Sequence, residues 1–207
     1  MLRIIGCSAF VMLGLLAQSA SANLVVHADQ VVAFASGPGT THPNFLDPND
    51  ALGAPDYADP GGTGFGTGAV ALGTGGVLTL HMAAAFTIGG TPEVDLIIYE
   101  IGPSQGGSAE ATSVEISEDG ATWFNVGITP GGTSGLDIDS FGFTLNDLFQ
   151  FVRLTDVTLN SGQPAGADID AVAARNAVPE PNSVMLAGIG LALFLARAVR
   201  GKPRRWI

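Results

Sequence analysis

The chain is short of reactive and of positively charged groups. Its 207 residues include one cysteine, Cys7, and this lies inside the N-terminal apolar run. Removal of that run leaves no thiol chemistry and no disulfide framework. A lipidated cysteine at the cleavage point is excluded too, because Cys7 comes too early. Charged residues make up 13% of the sequence, against roughly 25% in an average soluble protein, which excludes a coiled coil and a charged disordered tail. Between residues 23 and 178 only Arg153 and Arg175 are basic, against 18 acids, a formal charge of −16. Such a body repels phosphate backbones, which need Lys and Arg to displace their counterions, and nucleic acid is excluded as a partner.

Catalytic motifs are missing as well. His27, His42 and His81 stand far apart, and an imidazole without a second nearby ligand is a poor metal site, so structural or surface roles are expected for them. Neither GxSxG nor HExxH occurs. The glycine-rich stretch 36–68 has no Gly-Lys-Ser/Thr and no strand–loop–helix setting, so it is not a phosphate cradle. Acidic pairs are plentiful and leave a glycosidase open by composition, but nothing marks two carboxylates as partners. A non-enzymatic protein is expected.

What is present is grease at the two ends. Arg3, then apolar residues 4–17, then Ala20-Ser21-Ala22 read as a secretory signal peptide over 1–22, cleaved between Ala22 and Asn23. The apolar stretch is shorter than the ~20 residues that span a bilayer. The secretion translocon and signal peptidase are the implied partners. At the other end Val178-Pro179-Glu180-Pro181 precedes SVMLAGIGLALFLA (183–196), closed by Arg197, Arg200, Lys202, Arg204 and Arg205. With Arg197 snorkelling, a transmembrane helix over about 183–199 reaches the lower limit for spanning, and the basic stop stays cytoplasmic. The prolines keep the segment before it extended and accessible.

Between the ends, residues 23–176 read as one all-β domain, with short apolar runs broken by Gly, Pro, Asp and Asn. Strands are expected at 24–34, 69–72, 76–82, 94–101, 112–118, 122–128, 150–157 and 168–174. In TSVEISE, Val114 and Ile116 face the core while Ser113, Glu115 and Ser117 face water. Asp119-Gly120 reads as a tight hairpin turn. VDLIIYE (94–100), apolar on both parities, belongs in the middle of a sheet. A short helix is expected around Leu145–Phe149. The stretch 36–68 is a long loop, uncommon unless functional, pinned by a metal or partly disordered.

Two resemblances follow from these residues. The order PEP, apolar helix, Arg-rich end resembles the PEP-CTERM sorting signal of Gram-negative bacteria. That resemblance implies recognition by an exosortase, transient anchoring in the inner membrane, and delivery to the outer envelope or extracellular matrix. The segments DPNDALGAPD (47–56), VALGTGGVLTLHM (70–82), VDLIIYEIG (94–102), VEISEDGATWFNVG (114–127) and FVRLTDV…GADIDAV (151–172) occur in an order similar to discoidin-like or galactose-binding-like surface domains. Ser117, Asp119, Gly120 and Trp123 match an SxDGxxW element, and Asp168, Asp170, Ala171 and Val172 a closing DxDAV. The fold this implies is a jelly-roll β-sandwich; the sequence departs from the pattern at 129–140, which is compressed.

Hard oxygen ligands on loops suit Ca²⁺. Asp168 and Asp170, two apart on a strand, are expected on one face about 6.5–7 Å apart, with Asp47, Asn49 and Asp50 on a loop able to approach them. A structural Ca²⁺ joining an early loop to the final strand is what the resemblance implies. For carbohydrate contact the candidates are Tyr57, Phe65, Tyr99 and Trp123, the last expected chiefly in the core. The functional expectation is an exported envelope or matrix protein associated with exopolysaccharide; the alternatives are a carbohydrate-binding module and a secreted carbohydrate-active enzyme.

Overall fold

The computed structural model describes residues 24–90, 92–102, 109–158 and 165–178. The signal peptide with Ala20, Ala22 and Asn23 lies outside the described residues, as do Pro179, Glu180, Pro181, the 183–199 helix and the basic stop. Among the described residues no helix is long and apolar enough to cross a membrane.

Among the described residues nine strands form an all-β antiparallel sandwich: β1 (Val26–Ala35), β2 (Val70–Ala71), β3 (Val77–Phe86), β4 (Leu96–Glu100), β5 (Thr112–Ser117), β6 (Phe124–Thr129), β7 (Ser134–Leu136), β8 (Phe149–Asp156) and β9 (Asp168–Ala174). One sheet runs β6-β5-β8-β3-β1. The other runs β1-β9-β4-β7, with β2 also on β9. β1 belongs to both: Val26 and His27 pair with β9, whereas Ala28 to Ala35 pair with β3. Two register shifts, between Ala28 and Gln30 and between Val31 and Ala33, let it turn that corner, as bulges do where a strand changes sheet. From β3 onward every connection except β5–β6 crosses between the sheets.

Leu78, Leu80, Met82 and Phe86 of β3, Val114 and Ile116 of β5, Val152 and Leu154 of β8, and Leu96 and Ile98 of β4 fill the space between the sheets. A smaller cluster of Phe45, Ala69, Ala71 and Ile101, with Tyr57 against it, lies under the long loop. Strand directions place the start of β4, the end of β7 and the end of β9 at one pole of the sandwich. The end of β4, the start of β5, the β6–β7 turn and the start of β9 lie at the other.

Several sequence expectations are corrected here. Residues 145–149 form no helix: Leu145 and Asn146 make a turn, closed by Asp147 Oδ2, which accepts from Thr144 N at 2.6 Å, and Phe149 opens β8. One turn is too short to offset the entropy of helix nucleation. Asp119-Gly120 is not a two-residue turn; residues 118–123 connect β5 to β6, and only Gly120 of the pair has a positive φ, +72°. Ser117 is buried rather than wet, because its Oγ accepts from Gly120 N at 2.9 Å and donates to Asp119 Oδ1 at 3.1 Å. Trp123 is half-buried under the Arg153 guanidinium, 4.2 Å from the ring centroid. Core space beside it goes to Val126, the extra residue where β6 slips register against β5.

Candidate functional site

Acidic side chains gather at both poles. At the pole where β4 begins, Asp95 is fully buried and its carboxylate accepts three hydrogen bonds. Oδ1 accepts from Gly89 N at 2.9 Å and Asn176 Nδ2 at 3.0 Å, and Oδ2 from Ile138 N at 3.0 Å. Asp137 Oδ1 accepts from Asp139 N, and Asp139 Oδ1 from Gly90 N. One carboxylate oxygen from each of Asp95, Asp137 and Asp139 lies within 4.8 Å of the others, a grouping that can hold a metal ion. Burial raises the pKa of Asp95, against the lowering effect of the Ile138 N–H, and the neighbouring Asp139 raises it further. The sequence signal for this group, Asp137-Ile138-Asp139, sits in the compressed 129–140 segment.

At the opposite pole Glu100, Glu110 and Asp168 are buried. Burial, then the charges of Glu110 and Glu100, push Asp168 up to about 8. Burial likewise pushes Glu100 up to about 7, opposed by the backbone N–H groups of Gly132, Gly102 and Asp168.

The residues expected to share a metal have different partners. Asp47 Oδ1 caps the 3₁₀ turn Pro48–Ala51, accepting from Asn49 N at 2.9 Å and Asn49 Nδ2 at 2.7 Å. Asp50 is raised by burial and then by Asp47 and Asp56. Asp170 does tie the early loop to the last strand, but through backbone: its Oδ1 accepts from Asp56 N at 2.8 Å and Tyr57 N at 3.2 Å. Asp168 instead has Glu110 and Glu100 as its charged neighbours. The strand alternation that would put Asp168 and Asp170 on one face is broken by a register shift: Tyr99 pairs with Ala171 and Glu100 with Ile169, leaving Asp170 as the extra residue.

The aromatic candidates make internal contacts. The Tyr57 hydroxyl accepts from Gly66 N at 3.1 Å, and its ring packs near Phe45. Phe65 stacks on His42, with ring centroids 4.4 Å apart. Trp123 lies under Arg153, which is held by Glu115 at 2.7 Å. Sequence reasoning missed Phe124 and Phe141, which are 42% and 44% exposed and joined through Phe143 at 5.4 and 6.4 Å. The histidines are dispersed; His81 Nδ1 lies 2.8 Å from Asp29 Oδ1.

The body ends where the tail begins. Ala177 N donates to Leu24 O at 3.1 Å, and Val178 N to Ala85 O at 2.7 Å. Residues 177–201 match the PEP-CTERM protein-sorting motif. The motif marks an exported, cell-surface protein and implies processing by an exosortase. No curated protein matches the chain in sequence. Among solved structures, a pectin binding carbohydrate binding module is similar at 14% identity and TM-score 0.39, over 73% of this chain and 94% of its own. CBM32-3 from a family 31 glycoside hydrolase of Clostridium perfringens is similar at 16% identity and TM-score 0.36, over 75% and 92%. A glycoside hydrolase is similar at 15% identity and TM-score 0.32 over 50% of this chain, which spans 21% of that enzyme's length.

Proposed function

We propose that the chain is a non-enzymatic protein of the cell envelope or extracellular matrix that displays an acidic β-sandwich in association with exopolysaccharide. The observation that supports this best is the direct join between the folded body and the sorting motif: the match starts at Ala177, which is still bonded to the sandwich. In this reading the signal peptide leads the chain through the translocon and is cut after Ala22. The apolar segment 183–199 then holds the body at the inner membrane, with Arg197 to Arg205 on the cytoplasmic side. An exosortase acts at Val178-Pro179-Glu180-Pro181 and passes the body outward. Ca²⁺ at Asp95, Asp137 and Asp139 would offset part of the acidic charge, since three carboxylates form an oxygen-only donor set.

Intact-mass analysis of the exported form tests the route. The expected product begins at Asn23 and lacks the basic stop; recovery of the uncut chain from the cytosol overturns the reading. A second reading, a carbohydrate-binding module, is favoured by the exposed rings of Phe124 and Phe141 near the half-buried Asp139. Sugars bind by laying C–H faces on such rings beside acidic acceptors. Saturable binding to one glycan, lost in Phe141→Ala, would establish that reading; silence on a glycan array leaves the matrix role.

A further inference from the structure

The acidic group at the β6–β7 pole carries an inference independent of the sorting route. Glu100 closes β4, Glu110 stands two residues before β5, and Asp168 opens β9, with 5%, 2% and 2% of their surfaces exposed. Backbone pairing draws them together: Glu100 lies opposite Ile169, and Ile101 N donates to Asp168 O at 3.1 Å. The Gly131-Gly132 turn packs against the same group. Gly132 N donates to Glu100 Oε2, and a Cβ on Gly131 would fall 2.4 Å from the Glu110 nitrogen.

Backbone donors satisfy only part of this group. Glu100 Oε1 and Asp168 Oδ1 are buried with no hydrogen-bond partner. The two arginines of the body lie elsewhere: Arg153 holds Glu115, and Arg175 follows β9 at the opposite pole. A buried carboxylate oxygen left without a donor is costly to a protein interior, and neighbouring like charges add to the cost.

We propose that Glu100, Glu110 and Asp168 bind one divalent cation of the calcium class, with Glu100 Oε1 and Asp168 Oδ1 among its ligands. The donors are all carboxylate oxygens, with no imidazole or thiolate, which suits a hard cation and disfavours zinc or copper. The cation would tie together the end of β4, the approach to β5 and the start of β9, locking both sheets at one pole. This site is distinct from the Asp95, Asp137 and Asp139 group at the other pole.

The test is calcium titration calorimetry on the full-length chain in detergent, stripped with EDTA, beside Glu100→Gln, Asp168→Asn and Asp137→Asn. Wild type and Asp137→Asn are expected to share a binding event that Glu100→Gln and Asp168→Asn lose, or weaken on the order of a hundredfold. Both of these substitutions remove like charge without changing shape. Their thermal unfolding in EDTA should therefore match or exceed that of wild type, while calcium no longer raises it. No calcium uptake by wild type overturns the site, a result that needs no variant to fold. Uptake unchanged in both Glu100→Gln and Asp168→Asn overturns it equally.

Discussion

Asp119 and Asp168 are the same side chain held at opposite ends of the carboxylate range. Asp119 is exposed, and the N–H groups of Thr122 and Ala121 hold it down at about 2. Asp168 is shut away from water beside two other acids and is raised. The difference comes from what surrounds each carboxylate: aimed backbone donors in one case, burial among acids in the other. For Asp119 the folded value lies below the unfolded one, so its stabilising contribution is complete above pH 3.8 and is lost as pH falls toward 2. Asp119→Ala should therefore lower the melting temperature at neutral pH, and the gap should close near pH 2. Thermal unfolding followed by circular dichroism at stepped pH checks this; a gap independent of pH would assign the loss to something other than the charge. The Ser117, Asp119 and Gly120 motif was visible in sequence. That Ser117 turns inward to bond the turn was not, because a hydroxyl at an alternating position looks solvated until the loop that caps it is in place.

At the scale of elements, legibility followed side-chain pattern. β5 could be read from Val114 and Ile116, and β4 from a run apolar on both parities, which lies between β9 and β7 as expected. β7 is made by its neighbours: Ser134-Gly135-Leu136 has no alternation, and a Cβ at Gly135 would come within 2.6 Å of Val94 Cγ1. The last turn of β3, through Ala83-Ala84-Ala85, has little strand propensity. It persists because Phe86 pairs with Phe149 and bridges Ala177. Two glycines separate backbone conformation from packing. Gly142, φ +84°, has open space where a Cβ would go, whereas Gly131, φ +96°, has the Glu110 nitrogen there. Gly142→Ala should cost about 1 kcal/mol for the left-handed backbone alone. Gly131→Ala should cost about 3 kcal/mol once overpacking is added. Urea unfolding of both variants checks the difference; equal losses would mean the turn gives way freely.

For the whole molecule, the C-terminal sorting motif was legible because it is composed locally, as a run of residues whose chemistry needs no partner. Neither acidic pole was legible as a whole. Asp95 meets the sequence neighbours Asp137 and Asp139 only through the β4–β7 pairing, and Glu100, Glu110 and Asp168 meet only through the β4–β9 pairing and the β6–β7 turn. The loop 36–68 was legible as long; that Asp170 pins it by reaching amides of Asp56 and Tyr57, more than a hundred residues away in the chain, was not. The join at Val178 has a mechanical side. Pro179 to Asn182 separate it from the apolar stretch, and fully extended these steps span at most about 17 Å. On the proposed route, a folded sandwich would therefore stand close over the processing enzyme. A flexible Gly-Ser insert between Val178 and Pro179 should speed removal of the tail without changing the melting temperature. Pulse-labelling of the precursor measures this, and an unchanged or slower rate would show that the body does not crowd the cut.

Because Ala177 and Val178 are stitched to Leu24 and Ala85, severing the chain anywhere within Pro179-Glu180-Pro181 leaves a stub of at most a few residues on a hydrogen-bonded edge. The secreted product would have almost no loose end for a carboxypeptidase to grip. The durability of such a product would thus be set partly by how tightly the fold closes over its own severed terminus.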